Sequence, residues 1–270
     1  MKYKIVSTDF DDTLLRDDNT ISPYTRKVIE RYIAAGGVFI INTGRMVASV
    51  IKRAEDLNLK GTIIGYQGAM IYDLDKEKTI YHNPIDYQTA YKLIKKLELL
   101  GLNLHIYIDD VLYYKKTSEF SKVYENISNV KGIELNEDLS GYVLKNKSGI
   151  TKVLFHAEPD VVKKLLKETE EEFKETIYCC SSKPYFYEAL KYGSNKGIAC
   201  KFVADSLGID MKEVIAFGDS QNDIPMLKMA GLSFAVENAL PEAKAAAGFV
   251  CESNNDDGVA KTIEKYCFSE

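Results

Sequence analysis

The sequence predicts an α/β protein: a doubly wound parallel sheet whose chain is interrupted by an inserted α+β domain. Three observations carry this reading. Short, continuous apolar runs recur near both ends of the chain, as expected of parallel strands buried on both faces. Helical patterns lie between these runs, and alternating strands and helices build a sheet covered on both sides. From about Pro84 to Glu188 the pattern changes to hairpins and amphipathic helices, which fits helices packed on an antiparallel sheet. Residues 1–84 and 189–270 are therefore the two halves of the core, and residues 85–188 are the insert.

Each element follows from its residues. Tyr3, Ile5 and Val6 begin the first strand. Ser22-Pro23 then supplies a helix N-cap with proline at the first helical position. Val28, Ile29, Tyr32 and Ile33 share one face of that helix, and Gly36-Gly37 closes it. Val38-Phe39-Ile40-Ile41-Asn42 and Thr62-Ile63-Ile64-Gly65-Tyr66 are the next strands. In the insert, Tyr87, Ala90, Leu93, Ile94, Leu97 and Leu100 form one helix face ended by Gly101. His105–Ile108 and Val111–Tyr114 flank Asp109-Asp110 as a hairpin. A further helix follows, then strand Lys152–Phe155, a helix from Asp160, and strands near Ile177 and Tyr187. The second core half opens with a helix from Lys196 carrying Ile198, Phe202, Val203 and Leu207. Strands Val214–Phe217 and Ser233–Val236 complete the core.

Composition narrows the class. A chain of 270 residues, 46% hydrophobic and 28% charged, is an ordinary globular protein with ample core. Forty acidic against 35 basic residues give a formal charge of −5 with no basic domain, which argues against a nucleic-acid partner. The five cysteines form no C-x-x-C pair and lie mostly in apolar stretches, as reduced, buried thiols do. The first apolar run is too short for a signal peptide, and no apolar stretch is long enough to span a bilayer. The expectation is a cytoplasmic protein without a membrane partner, its oligomeric state open and a monomer included.

Four places in the core carry chemistry. The first strand ends at Asp9-Phe10-Asp11-Asp12-Thr13, where period-two alternation puts Asp9 and Asp11 on one side. Two carboxylates that close repel unless a cation or a shared proton offsets them. A nucleophile beside a general acid, tied together by Mg²⁺, has this arrangement. Alone, such a pair is more often a solvated surface turn. The second place is Asn42-Thr43-Gly44-Arg45, where Thr43 offers a hydroxyl and Gly44 a backbone N–H to an anion, or the pair merely caps a helix. The third is Lys196 at a helix N-terminus, where its charge opposes the helix dipole unless an anion is held there. The fourth is Gly218-Asp219-Ser220-Gln221-Asn222-Asp223, a second acidic strand end of the kind a hard divalent cation needs. In a doubly wound sheet all four converge at the carboxyl ends of the strands.

In this order the four resemble the haloacid dehalogenase superfamily of phosphotransferases, closest to its Cof-type (type IIB) sugar-phosphatase-like branch. Asn222-Asp223-Ile224-Pro225-Met226-Leu227, Ala230-Gly231, Ala235-Val236-Glu237-Asn238-Ala239 and Asp257-Gly258-Val259 follow the same pattern. The resemblance implies a Rossmann-like core with the insert as a cap that selects the leaving group. It implies a phosphatase of small phosphorylated metabolites. Asp9 would be the nucleophile that becomes an aspartyl phosphate, and Asp11 the acid and then the base. Mg²⁺ would be held by Asp9, Asp219 and the Asp11 carbonyl, with Asp223 nearby. Phe10, Thr43, the Gly44 N–H, Lys196 and Asn222 would bind the phosphoryl group.

Two positions depart from the pattern. Asp12 stands where glycine is usual, and Asp tolerates a left-handed backbone better than most residues. Gln67-Gly68-Ala69 replaces Asn-Gly-Ala, so Gln67 either touches the leaving group or packs its loop. In the insert, Tyr107, Tyr113, Tyr114, Tyr185 and Tyr187 either grip a sugar or aromatic phosphate or fill a small sheet. Glu188 stands where the family often has an acid facing the substrate. His82, His105 and His156 have no metal-ligand spacing. A phosphomutase on the same fold and a non-catalytic phosphate-binding module remain the alternatives.

Overall fold

A computed structural model describes residues 2–56 and 59–268. The chain begins with β1 (Ile5–Thr8), α1 (Pro23–Ala34), β2 (Val38–Asn42), α2 (Val47–Asp56), β3 (Thr62–Gly65), β4 (Met70–Asp73) and β5 (Lys78–His82). It continues through α3 (Tyr87–Leu99), β6 (Leu104–Ile108), β7 (Val111–Tyr114), α4 (Glu119–Ser128), β8 (Ile133–Glu134) and α5 (Leu139–Asn146). Then come β9 (Lys152–His156), α6 (Pro159–Glu172), β10 (Ile177–Cys180) and β11 (Phe186–Lys191). The last stretch is α7 (Lys196–Ser206), β12 (Val214–Gly218), α8 (Ile224–Met229), β13 (Leu232–Val236), α9 (Pro241–Ala246), β14 (Phe249–Cys251) and α10 (Gly258–Cys267).

Met1–Gly44, Val50–Ile80 and Asn195–Glu270 form one compact unit, and Arg45–Ser49 with Tyr81–Ser194 the other. These divisions, at 80/81 and 194/195, lie a few residues from the 84/85 and 188/189 divisions read from sequence. Residue 188 lies inside β11, which pairs along its length with β9 and β10, so the strand stays whole in the insert.

The core sheet has the order β14-β13-β12-β1-β2-β3-β4-β5, and its first six strands are parallel. This is the α/β fold that the alternating pattern predicts; the antiparallel β4 beyond β3 is an addition to it. The apolar strand runs are legible because β1 and β12 are buried at every position. Ser22 caps α1 by accepting from Thr25 N–H, with Pro23 next to it. The order reverses about β1: β2 lies on one side and β12 on the other. Loops leaving their carboxyl ends must therefore open onto one crevice.

The insert is a six-stranded sheet ordered β10-β11-β9-β6-β7-β8, antiparallel except for the β7–β8 pair. Leu93, Ile94, Leu97, Val143 and Val162 from α3, α5 and α6 pack on Ile106, Val153 and Phe155. Asp109 and Asp110 both have positive φ, as a two-residue hairpin turn requires. The opposite sheet face carries His105, which stacks on Phe120 of α4 at 4.5 Å between ring centroids. Glu188 is buried and paired with buried Lys152 at 3.1 Å, and Ser182 Oγ donates to it as well. Tyr107, Tyr114 and Tyr187 are buried, whereas Tyr185 is exposed. No described helix is long and apolar enough to cross a membrane.

Candidate active site

The site is built by four loops leaving strands of the core unit. β1 delivers Asp9, which is 6% exposed and whose N–H donates to Phe217 O of β12 at 3.0 Å. Beyond it the chain makes one tight turn, closed by Leu15 N–H donating to Phe10 O at 2.8 Å. Within that turn Asp11 is extended (φ −74°, ψ 139°) and Asp12 left-handed (φ 57°, ψ 4°). An acid at position 12 therefore keeps the turn that glycine would make. Phe10 is completely buried, so its side chain belongs to the core. Thr13 donates its hydroxyl to Asp219 Oδ1 at 2.9 Å, joining this turn to the loop after β12.

Lys196 is the first residue of α7, and it is fully buried. Its Nζ donates to Asp9 Oδ1 at 2.7 Å and Asp223 Oδ1 at 2.6 Å. The anions that reconcile a lysine with a helix N-terminus are thus the protein's own carboxylates. Two of its three N–H donors are used in this way. Burial works against the Lys196 charge, but Asp223 and Asp9 outweigh it and leave the group above the ordinary lysine range. Of the apolar residues Ile198, Phe202, Val203 and Leu207 in and after α7, only Val203 is buried. Ile198, Phe202 and Leu207 are exposed, and the helix packs through Gly197, Ala199, Cys200, Val203 and Ala204.

Asp223 holds its own loop. Its Oδ2 accepts from Asp219 N–H and Ser220 N–H, both at 3.0 Å, while Oδ1 takes Lys196. Gly218 is required beside it, since a Cβ there would stand 2.5 Å from Asp223 Cβ. Asp9, Asp219 and Asp223 place carboxylate oxygens within 4.8 Å of one another. Asp9 is held well above the ordinary carboxylate range, first by burial and next by Asp223, against the pull of Lys196. Asp219 is pushed up to about 6, again by burial and then Asp223. Three crowded acids against one lysine form a set of hard oxygen donors that a divalent cation would relieve.

Asn222 and Gln67 complete the cluster. Asn222 Nδ2 donates to Gln67 Oε1 at 3.0 Å, and both residues are buried. A Cβ on Gly44 would fall 2.3 Å from Gln67 Nε2, so the Thr43-Gly44 loop lies against the same amide. Thr43 is buried, its N–H bonded to Ile64 O and its carbonyl to Gln67 N–H. Asn42, which opens the second motif, has a role that the motif alone does not assign. It is fully buried and donates to Lys196 O at 3.0 Å, which ties β2 to the first turn of α7. A lone polar residue closing an apolar strand was its only signal.

The haloacid dehalogenase-like hydrolase family matches residues 6–263 of this sequence. The chain belongs to that family. A relative of this hydrolase, the 5-amino-6-(5-phospho-D-ribitylamino)uracil phosphatase YwtE of Bacillus subtilis (strain 168), is 30% identical over 282 residues, which cover 97% of each chain. The crystal structure of TM0651 from Thermotoga maritima agrees with a TM-score of 0.84 at 32% identity, covering 97% of both chains. The HAD subclass IIB sugar phosphatase BT4131 shares the fold, with a TM-score of 0.82 at 22% identity over 98% of this chain and 99% of its own. This haloacid dehalogenase-like hydrolase is a phosphatase, as the order of its motifs implied.

Proposed function

We propose that the chain is a Mg²⁺-dependent phosphomonoesterase of small phosphorylated metabolites, working through an aspartyl phosphate on Asp9. The observation that carries this reading is the buried Asp9 carboxylate, held by Lys196 within the Asp9–Asp219–Asp223 trio. Mg²⁺ held by Asp9, Asp219 and the Asp11 carbonyl, with Asp223 close by, would supply positive charge against the transferring phosphoryl group. Lys196 has two duties here: it helps keep buried Asp9 ionised, and its third N–H binds a phosphoryl oxygen. Thr43, the Gly44 N–H, the main chain of Phe10 and Asn222 bind the others.

Asp9 attacks phosphorus and the bond to the leaving oxygen breaks, while Asp11 gives that oxygen its proton. Asp11, now a base, takes a proton from water as it attacks the aspartyl phosphate. Phosphate leaves and Asp9 is regenerated. We assign selection of the leaving group to the insert. The ribitylamino-uracil phosphatase among the relatives supports phosphorylated sugar alcohols as candidates, beside sugar phosphates, flavin mononucleotide and pyridoxal phosphate.

Phosphate release from a panel of these compounds with Mg²⁺, with Asp9→Asn as the control, tests the proposal. Turnover by the parent and none by the variant is expected. Equal turnover by both would overturn the role of Asp9. Silence across the panel, from folded protein, would shift the assignment to a mutase or a binding module.

A further inference from the structure

We infer that Asn238 is a positioning residue for the acid–base turn, setting where Asp11 delivers its proton. This rests on the reading above that Asp11 is the general acid. Asn238 lies in the short loop between β13 and α9, far in sequence from Asp11. Its Nδ2 donates to Asp12 O at 2.7 Å, and its Oδ1 accepts from Asn254 N–H at 3.1 Å. A backbone N–H can only donate and a carbonyl can only accept, so the two contacts fix the orientation of the amide. Asn254 in turn donates its Nδ2 to Leu15 O at 3.0 Å. The turn from Phe10 to Leu15 is therefore pinned from outside at two carbonyls by two asparagines that hold each other.

The same loop reaches the other acidic strand end. Leu240 N–H donates to Asp219 O at 2.8 Å. One four-residue stretch, 237–240, thus fixes the spacing between the Asp11-Asp12 turn and the Asp219 loop. Asp12 needs that support, since a non-glycine residue in the left-handed region is less comfortable than glycine would be. If its carbonyl is released, the Asp12–Thr13 peptide can rotate, and the turn that carries Asp11 shifts with it. A general acid displaced by a fraction of an ångström loses much of its effect while the nucleophile on β1 stays in place.

Leaving-group dependence distinguishes this from a merely structural role. An aryl phosphate such as p-nitrophenyl phosphate departs without a proton; an alkyl phosphate such as a hexose 6-phosphate needs one. We would compare kcat/KM on both substrates for the parent, Asp9→Asn, Asp11→Asn, Asn238→Ala and Asn238→Asp, with melting temperatures alongside. Asn238→Ala should lose about 10-fold on the alkyl phosphate and about 2-fold on the aryl one, in the direction of Asp11→Asn. Asn238→Asp should follow it, because a carboxylate can still accept from Asn254 N–H but cannot donate to Asp12 O. Equal losses on both substrates, or a parent-like Asn238→Asp, would overturn the inference while leaving the phosphatase reading intact. Full activity in Asp9→Asn would defeat that reading itself, and the inference would fall with it.

Discussion

Lys196 Nζ stands 2.7 Å from Asp9 Oδ1 with both groups buried, so the charge partner of the proposed nucleophile comes from a helix 187 residues away. A buried pair of this kind contributes little net stability, but removing one member leaves an uncompensated charge. Lys196 also bonds Asp223, so a single ammonium offsets two of the three crowded acids.

Replacing Lys196 with Met keeps the stem volume and removes the charge. The expected loss is about 3 kcal/mol of stability without metal, together with at least a ~100-fold fall in turnover. Adding Asp9→Asn to Lys196→Met should restore part of the stability, because it removes one of the stranded carboxylates. Calorimetry on the single and double variants decides this. Purely additive losses would show that the pair is not energetically coupled.

Asp219 is the least enclosed member of the trio and is steadied by the Thr13 hydroxyl. Asp219→Ala should therefore weaken both the Mg²⁺ response and the rate, raising the Mg²⁺ midpoint at least ~10-fold. Thermal stabilisation by added Mg²⁺ should shrink in parallel, which gives a readout independent of activity. An unmoved titration would contradict the assignment.

Gly44 predicts a coupling between loops. Gly44→Ala drives a Cβ into the Gln67 amide, which is buried and held by Asn222. We expect kcat/KM to fall about 10-fold as the Thr43-Gly44 loop is displaced. Gln67→Ala in the same chain removes the obstruction, so the double variant should be more active than Gly44→Ala alone. A double variant less active than either single one would refute the steric account.

Why so much of the fold was legible, and less of the site, has a physical basis. Strands β1, β2 and β12 are buried on both faces, so their apolar runs carry the sheet openly in the sequence. The acids of the site follow directly from those strands, and Asp9 and Asp219 can be found by where the runs stop. Asn42, Gln67 and Asn238 were not legible as a framework. Their partners are Lys196 O, Asn222 Nδ2 and Asp12 O, which only folding brings near. The packing face of helix α7 is hidden in the sequence for a related reason. Its exposed Ile198 and Phe202 imitate a core stripe, whereas its buried face combines small residues with a lysine that distant carboxylates make tolerable. The division read at 188 falls inside β11, whose extent is set by pairing with β9 and β10 that only folding brings about.

His105 offers a test in the insert that is independent of catalysis. It is 1% exposed, stacked on Phe120, and among the described residues neither ring nitrogen has a hydrogen-bond partner. Burial, reinforced by the charge of Lys152, pushes its pKa down to about 3. In the unfolded chain the ordinary value of about 6.5 applies, so between pH 6.5 and 3 the unfolded state binds a proton that the native state refuses. The native state is therefore fully stable with respect to this group above pH 6.5 and loses stability as pH falls toward 3. The loss amounts to about 2 kcal/mol at pH 5. His105→Phe keeps the stacking, relieves an unsatisfied buried N–H, and removes the titration. It should be about 1 kcal/mol more stable than the parent at pH 7, with the gap widening as the pH is lowered to 5. Melting temperatures of the two chains at both pH values measure it; a gap that stays constant or closes would show that His105 takes up its proton in the native state.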